Sequence, residues 1–159
     1  MRVIKHLPIL SLQEAVYGLL EKGQTTQVYR AVPPHAEKSP YITIGLCTVK
    51  PEDTKEDALW NCTLAIDIWS TGVGAGNIIE ADSADAAGGS APGAQIAEQA
   101  KKIYEAVDDI SYLMTKYGDR IAVDGYKVLD VEVEQSETFP TSDLGYHATV
   151  SVRYQLIDK

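Results

Sequence analysis

Cysteine, phenylalanine and methionine are nearly missing from this chain, with two, one and two copies among 159 residues. Two cysteines, Cys47 and Cys62, are too few and too far apart for the CxxC spacing of a zinc site, and they cannot build a disulfide-stapled fold. A chain of this length needs no staple, because it can bury roughly two thirds of the surface its unfolded form exposes. Positive charge is also short. Fourteen Lys and Arg stand against 23 Asp and Glu, giving a net charge of −9 and a pI of 4.7. That is the wrong sign for a protein that neutralises DNA or RNA phosphates, so direct sequence-specific nucleic-acid binding is not expected. No apolar run approaches the roughly 18 residues of a membrane span. Met1 to Pro8 mixes charges with too few apolar residues to read as a signal peptide, so neither export nor membrane contact is expected. The composition therefore predicts one domain over residues 1–159, two small buried thiols and a reducing cytoplasm.

Periodicity is what the sequence has in quantity. Ser11-Leu12-Gln13-Glu14 has the S-x-x-E form of a capping box, and Leu12, Val16, Leu19 and Leu20 follow on one stripe. This predicts a helix over about 11–22, with Gly23 as its cap. Val28-Tyr29-Arg30 is a short strand candidate ended by Pro33-Pro34. From Tyr41 to Val49 the residues Ile42, Ile44 and Leu46 alternate with Thr43, Gly45 and Cys47, which predicts a strand with one buried face. Trp60, Cys62, Leu64, Ile66 and Ile68 alternate in the same way with Asn61, Thr63, Ala65, Asp67 and Trp69. The two strands predict a hairpin over 41–69, joined by the charged segment Pro51–Asp57. In that hairpin Cys47 falls on the face opposite Ile44 and Leu46 while Cys62 lies with Leu64 and Ile66. The mismatch argues against a disulfide between them.

Residues 70–94 break the pattern with many glycines and alanines, and they read as a long loop carrying one apolar pair, Ile78 and Ile79. Connections of that length are usually functional or disordered. Ile96, Ala100, Ile103, Val107, Ile110, Met114 and Tyr117 then recur at steps of three and four, predicting an amphipathic helix of about 22 residues stopped by Gly118. After a turn at Asp124-Gly125, Leu129, Val131 and Val133 alternate with Asp130, Glu132 and Glu134. Beyond a turn near Pro140–Asp143, Tyr146, Ala148, Val150, Val152, Tyr154 and Leu156 alternate with His147, Thr149, Ser151, Arg153 and Gln155. These two strands predict a second hairpin, with Arg153 paired across it to the carboxylates. Helix, strands, loop, long helix and strands sum to an α+β fold: a mainly antiparallel sheet with two helices packed on one face and a long Gly/Ala-rich loop before the second.

The chemical motifs are thin. Gly72-Val73-Gly74-Ala75-Gly76-Asn77 follows a strand, but its sixth residue is Asn77 and no helix opens behind it to hold a pyrophosphate. No phosphate-cradling P-loop sequence occurs. His6, His35 and His147 lack the spacing that sets two imidazoles on one metal. Asp130, Glu132 and Glu134 alternate outward as a solvated face does, and no serine sits in a nucleophile elbow. Neither enzyme activity, cofactor nor metal is expected. Contacts are instead expected from the charged hairpin tip, at Glu52, Asp53, Lys55, Glu56 and Asp57, and from Ile78 and Ile79 in the long loop.

Five segments in combination resemble the tail completion family of long-tailed bacteriophages, also called tail terminator or neck proteins. They are Leu12–Tyr17, Pro40–Gly45, Leu64–Ser70, Ile96–Val107 and Gly145–Tyr154, in the family's order. Residues 72–94 depart from it, since family members usually connect strand to helix more briefly. The resemblance implies a non-enzymatic subunit, commonly in a hexameric ring, that caps the head-proximal end of the tail tube. It implies the tail-tube protein, head–tail connector proteins and further copies of itself as partners. The implied location is the host cytoplasm during assembly and the virion neck of an active phage, or the gene product of a prophage. An acidic lumen that repels passing DNA is a further expectation. A capsid-side connector and a stand-alone binding module remain open as alternatives.

Overall fold

A computed structural model of the chain describes residues 7–35, 38–53, 58–71 and 92–159, with the backbone alone at Asp53, Pro92 and Gln95. The first helix, α1, spans Ile9–Gly23 and buries Leu12, Val16 and Leu20 along the expected stripe. It starts two residues before Ser11, and the capping box does not form. Pro8 occupies the cap, its fixed φ of −71° presets the first turn, and its carbonyl accepts the Leu12 N–H at 2.9 Å. Ser11 consequently lies inside that turn and its hydroxyl bonds back to Pro8 O at 3.4 Å. At the other end Gln24 Nε2, rather than a glycine cap, donates to Leu20 O at 2.8 Å. Gly23 is the last helical residue, where a Cβ would stand 2.5 Å from Leu113 Cδ1 of the second helix. Glycine is what lets the helices approach there.

Strand β1 (Gln27–Tyr29) runs parallel to β2 (Tyr41–Asp53), and β2 forms the expected antiparallel hairpin with β3 (Ala58–Trp69). β2 is longer than the sequence suggested. Pro51, Glu52 and Asp53 are ladder partners of Trp60, Leu59 and Ala58, so they belong to the strand and not to the connecting loop. A proline is tolerated there because β1 pairs with β2 only at Tyr41–Thr43, so no described strand lies beside Pro51 on that side. A bulge between Ile44 and Cys47 also overturns the simple alternation. Leu46, expected inside, is 73% exposed, while Cys47 and Val49 pack against the core. Cys47 and Cys62 therefore share the buried side, contrary to the expected mismatch, and both are free thiols. Burial pushes the Cys62 thiol up to about 12, the nearby Cys47 adding to it, and burial raises Cys47 as well.

Helix α2 spans Pro92–Tyr117, starting at a proline that suits a first turn. Ile103, Ala106, Ile110, Leu113 and Met114 are the buried residues among its described side chains, whereas Tyr117, expected on the stripe, is 42% exposed. At 26 residues the helix is about 39 Å long. A single 3₁₀ turn, Gly118–Arg120, leads to β4 (Tyr126–Pro140) and β5 (Tyr146–Asp158), which pair antiparallel as expected. β4 carries bulges between Val128 and Asp130 and between Val133 and Gln135. The first turns Leu129 outward and sets Val128 beside Val131 and Val133 against the core, correcting the expected placement of Leu129.

The five strands lie in the order β1-β2-β3-β5-β4, with β1–β2 the one parallel pair. α1 packs over β1 and β2, and α2 over β5, β4 and β3. The architecture is thus α+β with both helices on one face. Ile66, Ile68, Val150, Val152 and Tyr154 of the two central strands form the middle of the core between sheet and helices. No helix among the described residues is long and apolar enough to cross a membrane.

Candidate functional site

The helix-free face of the sheet carries the polar half of every alternation. At one end of it four strands converge. The Trp69 indole stacks on the His147 ring with centroids 3.7 Å apart and planes within 6°. Phe139 meets the same imidazole edge-on at 4.7 Å. Trp69 Nε1 donates to Thr43 Oγ1 at 3.0 Å. Asp67 Oδ1 accepts from His147 Nε2 at 2.9 Å and from the Thr149 hydroxyl at 2.8 Å. The Asp67 and His147 side chains keep only 18% and 15% of their exposure. Asp67 Oδ2 lies directly over Gly45, where a Cβ would be 2.1 Å from it, so glycine at the β2 bulge makes room for the carboxylate.

This arrangement is a clamp and not a catalytic relay. Thr149 donates to the carboxylate and stands 3.5 Å from His147 Nε2, the same nitrogen that Asp67 already engages. A nucleophile relay requires the imidazole to stand between hydroxyl and carboxylate, using one nitrogen for each. The chemistry on offer is cross-strand fixation with an aromatic surface. Alternation alone puts Asp67, Trp69, His147 and Thr149 on the polar face, but their meeting depends on a β3–β5 register that joins residues 80 positions apart.

Toward the other end the face is acidic. Arg153 on β5 pairs with Glu132, with Asp130 at 3.5 Å and with Glu134 at 3.6 Å, the cross-strand pairing expected from the sequence. The hydrogen bond to Glu132 raises the guanidinium pKa further, with the three carboxylate charges adding to it. Glu52 of the expected contact set lies in β2 and accepts from Asn61 Nδ2 at 2.6 Å and Gln155 Nε2 at 3.4 Å. Asp53 ends the strand. Lys55, Glu56, Asp57, Ile78 and Ile79 lie outside the described residues. Among the described residues no group of three or more His, Cys, Asp or Glu could hold a metal ion.

The sequence matches the family described as Tail completion protein gp17 over residues 9–155, a span that begins at the first residue of α1 and reaches into β5. The chain belongs to that family. Its fold is also similar to that of a chain in a solved structure titled "Virion of native gene transfer agent (GTA) particle", at a TM-score of 0.66 and 17% identity over 96% of this chain and 99% of that one. No curated protein matches it. For a tail completion protein the helix-free face and the open strand edges, rather than a pocket, are the surfaces on which the described geometry concentrates distinctive side chains. The segments that carry the family resemblance, Leu64–Ser70 and Gly145–Tyr154, are the ones that build the clamp.

Proposed function

We propose that this protein is a non-enzymatic virion subunit that forms a ring, commonly a hexamer in its family, at the head-proximal end of the tail tube. There it stops tube growth and presents a surface to head–tail connector proteins. The observation that carries this reading is the family match over residues 9–155, which takes in nearly every described element. The similarity of fold, over nearly the full length of both chains, to a component of a gene transfer agent virion supports it. A sheet with helices on one face suits the role, because it leaves a broad polar surface and two strand edges for neighbours. In this reading the acidic face around Asp130, Glu132 and Glu134 turns to the lumen and repels passing DNA. The charged residues Glu52, Asp53, Lys55, Glu56 and Asp57 and the pair Ile78 and Ile79 are contacts to neighbouring proteins.

Light scattering over a concentration series, with electron microscopy of any large species, tests the proposal. The expected result is a discrete ring, alone or once tail tubes are added, which also binds purified tail-tube protein. A chain that stays monomeric at every concentration and does not bind tubes overturns it.

A further inference from the structure

Among the described residues the sheet is open along part of β2 and along the outer side of β4. β1 pairs with β2 only at Tyr41–Thr43, so no described strand lies beyond β2 from Ile44 to Asp53, and none lies beyond β4. Unpaired edges accept further strands unless something blunts them. We infer that the free stretch of β2 in one copy adds to the outer edge of β4 in a second copy, joining the sheets of neighbouring subunits. The inference rests on the ring reading and supplies its contact.

Direction fits first. β2, β3, β5 and β4 alternate in direction, so β2 and β4 run opposite ways. Repeating the subunit head to tail brings β4 and the next β2 together antiparallel, the pairing that exchanges hydrogen bonds perpendicular to the strands.

Level fits next. Along the ladder Lys50 is in one row with Asn61, Gln155 and Asp130, and Cys47 is in one row with Leu64, Val152 and Val133. β1 therefore blocks the end of β2 that is level with Phe139 and leaves open the part level with Val128 to Val133.

Side chains complete the match on both faces. On the helix-free face Asp130, Glu132 and Glu134 have Arg153 as their one ion-pair partner among the described residues, so two of the three carboxylate charges are uncompensated by an ion pair, and Lys127 on the same face of β4 pairs with none of them. Lys50 projects from the same face in the row of Asp130 and has no ion-pair partner among the described residues. Glu52, the acid beside it, is turned to Asn61 and Gln155. An unshifted continuation sets Lys50 of one copy beside Asp130 and Glu132 of the next. Opposite charges facing each other across strands are favourable, and like charges there are not. On the helix face Val128, Val131 and Val133 of β4 are half-buried, as are Cys47 and Val49 of β2, so the contact covers apolar surface from both sides.

Cysteine cross-linking in the full-length chain tests this. Within one copy β2 and β4 are three strand spacings apart, about 14 Å, too far for a disulfide. Lys50→Cys combined with Asp130→Cys, or with Glu132→Cys, should give under mild oxidation a ladder of covalent oligomers ending at the ring, with no ladder from any single variant. Lys50→Glu should raise the concentration for half-assembly at least tenfold at low salt while the far-UV spectrum and melting stay those of the wild type. Adding Asp130→Lys and Glu132→Lys to it should restore assembly to within about threefold. A wild-type ring with no ladder from either pair overturns the edge contact and leaves the ring reading standing. A wild type that assembles neither alone nor on tail tubes overturns both.

Discussion

Ile66 and Asp67 are adjacent on β3, yet they serve opposite faces of one sheet that are held together differently. Ile66 is fully buried between the sheet and the helices, and its contribution is removal of apolar surface from water together with close packing. Asp67 faces the helix-free side, where a histidine and a threonine of β5 fix its carboxylate and an indole covers the histidine. The helix face is non-directional and distributed over many side chains, so any good packing serves. The other face depends on particular donors and acceptors in one register. Stability should therefore reside in the first, and strand register and surface shape in the second.

Truncation in the core gives the largest expected effect. Ile66→Ala should cost about 3 to 4 kcal/mol in a denaturant titration, from lost burial plus the cavity left behind. A cost near that of an exposed alanine substitution would mean that the helices are not tightly seated on β3.

Gly45→Ala couples the faces. Its new Cβ would meet Asp67 Oδ2 at 2.1 Å and the Ala65 carbonyl at 3.1 Å, so the carboxylate must leave its place over the bulge and strain its bonds to His147 and Thr149. A loss of about 2 kcal/mol is expected, within the range of disrupted buried hydrogen bonds. Asp67→Ala added to it should recover part of that loss, a coupling that a double-mutant cycle reads directly. Additive losses would separate Gly45 from the clamp.

The same bulge shows what was and was not legible in the sequence. Periodicity located both helices and four of the strands, because burial on one side imposes a repeat of 3.6 or 2 that survives in the residue order. It placed Leu46 and Leu129 on the wrong side. An unbroken alternation carries no mark of an extra residue, and each bulge shifts the phase only because its partner strand is one residue shorter there. The capping box misled for a local reason, since Pro8 had already opened the helix. The clamp was half legible: alternation supplied its face, but no local rule pairs residue 67 with residue 147. The acidic cluster was more legible, since three carboxylates and Arg153 alternate in phase on strands already expected to pair. The family resemblance supplied the assembly role that residue chemistry left open.

A pH titration distinguishes the two faces more gently. The folded Cys62 thiol keeps its proton up to about 12, whereas the unfolded thiol releases it from about 9, the usual value. Above pH 9 the unfolded state then binds fewer protons than the folded one, and stability falls as pH rises toward 12. Between pH 8 and pH 10 this group should remove on the order of 1 kcal/mol. Cys62→Ala should lower stability at pH 8 but flatten the decline above pH 9, as followed by denaturation at each pH. An equally steep decline in the variant would assign the loss to other groups.

The smallest effect is expected one residue along from a buried valine. Val152 is fully buried and Arg153 projects from the opposite face among three carboxylates. Val152→Ala should cost about 2 kcal/mol through its cavity. Arg153→Gln removes a cation whose partners are well exposed, where solvent and salt screen the pairing, so its denaturation midpoint at physiological salt should match the wild type within the scatter of repeat curves. At low salt the variant leaves Asp130, Glu132 and Glu134 unneutralised on adjacent turns of one pleated strand, and their mutual repulsion should then lower the midpoint. A clear loss at physiological salt would make the acidic cluster part of what holds the monomer together, and the division of labour between the two faces would have to be redrawn at β5.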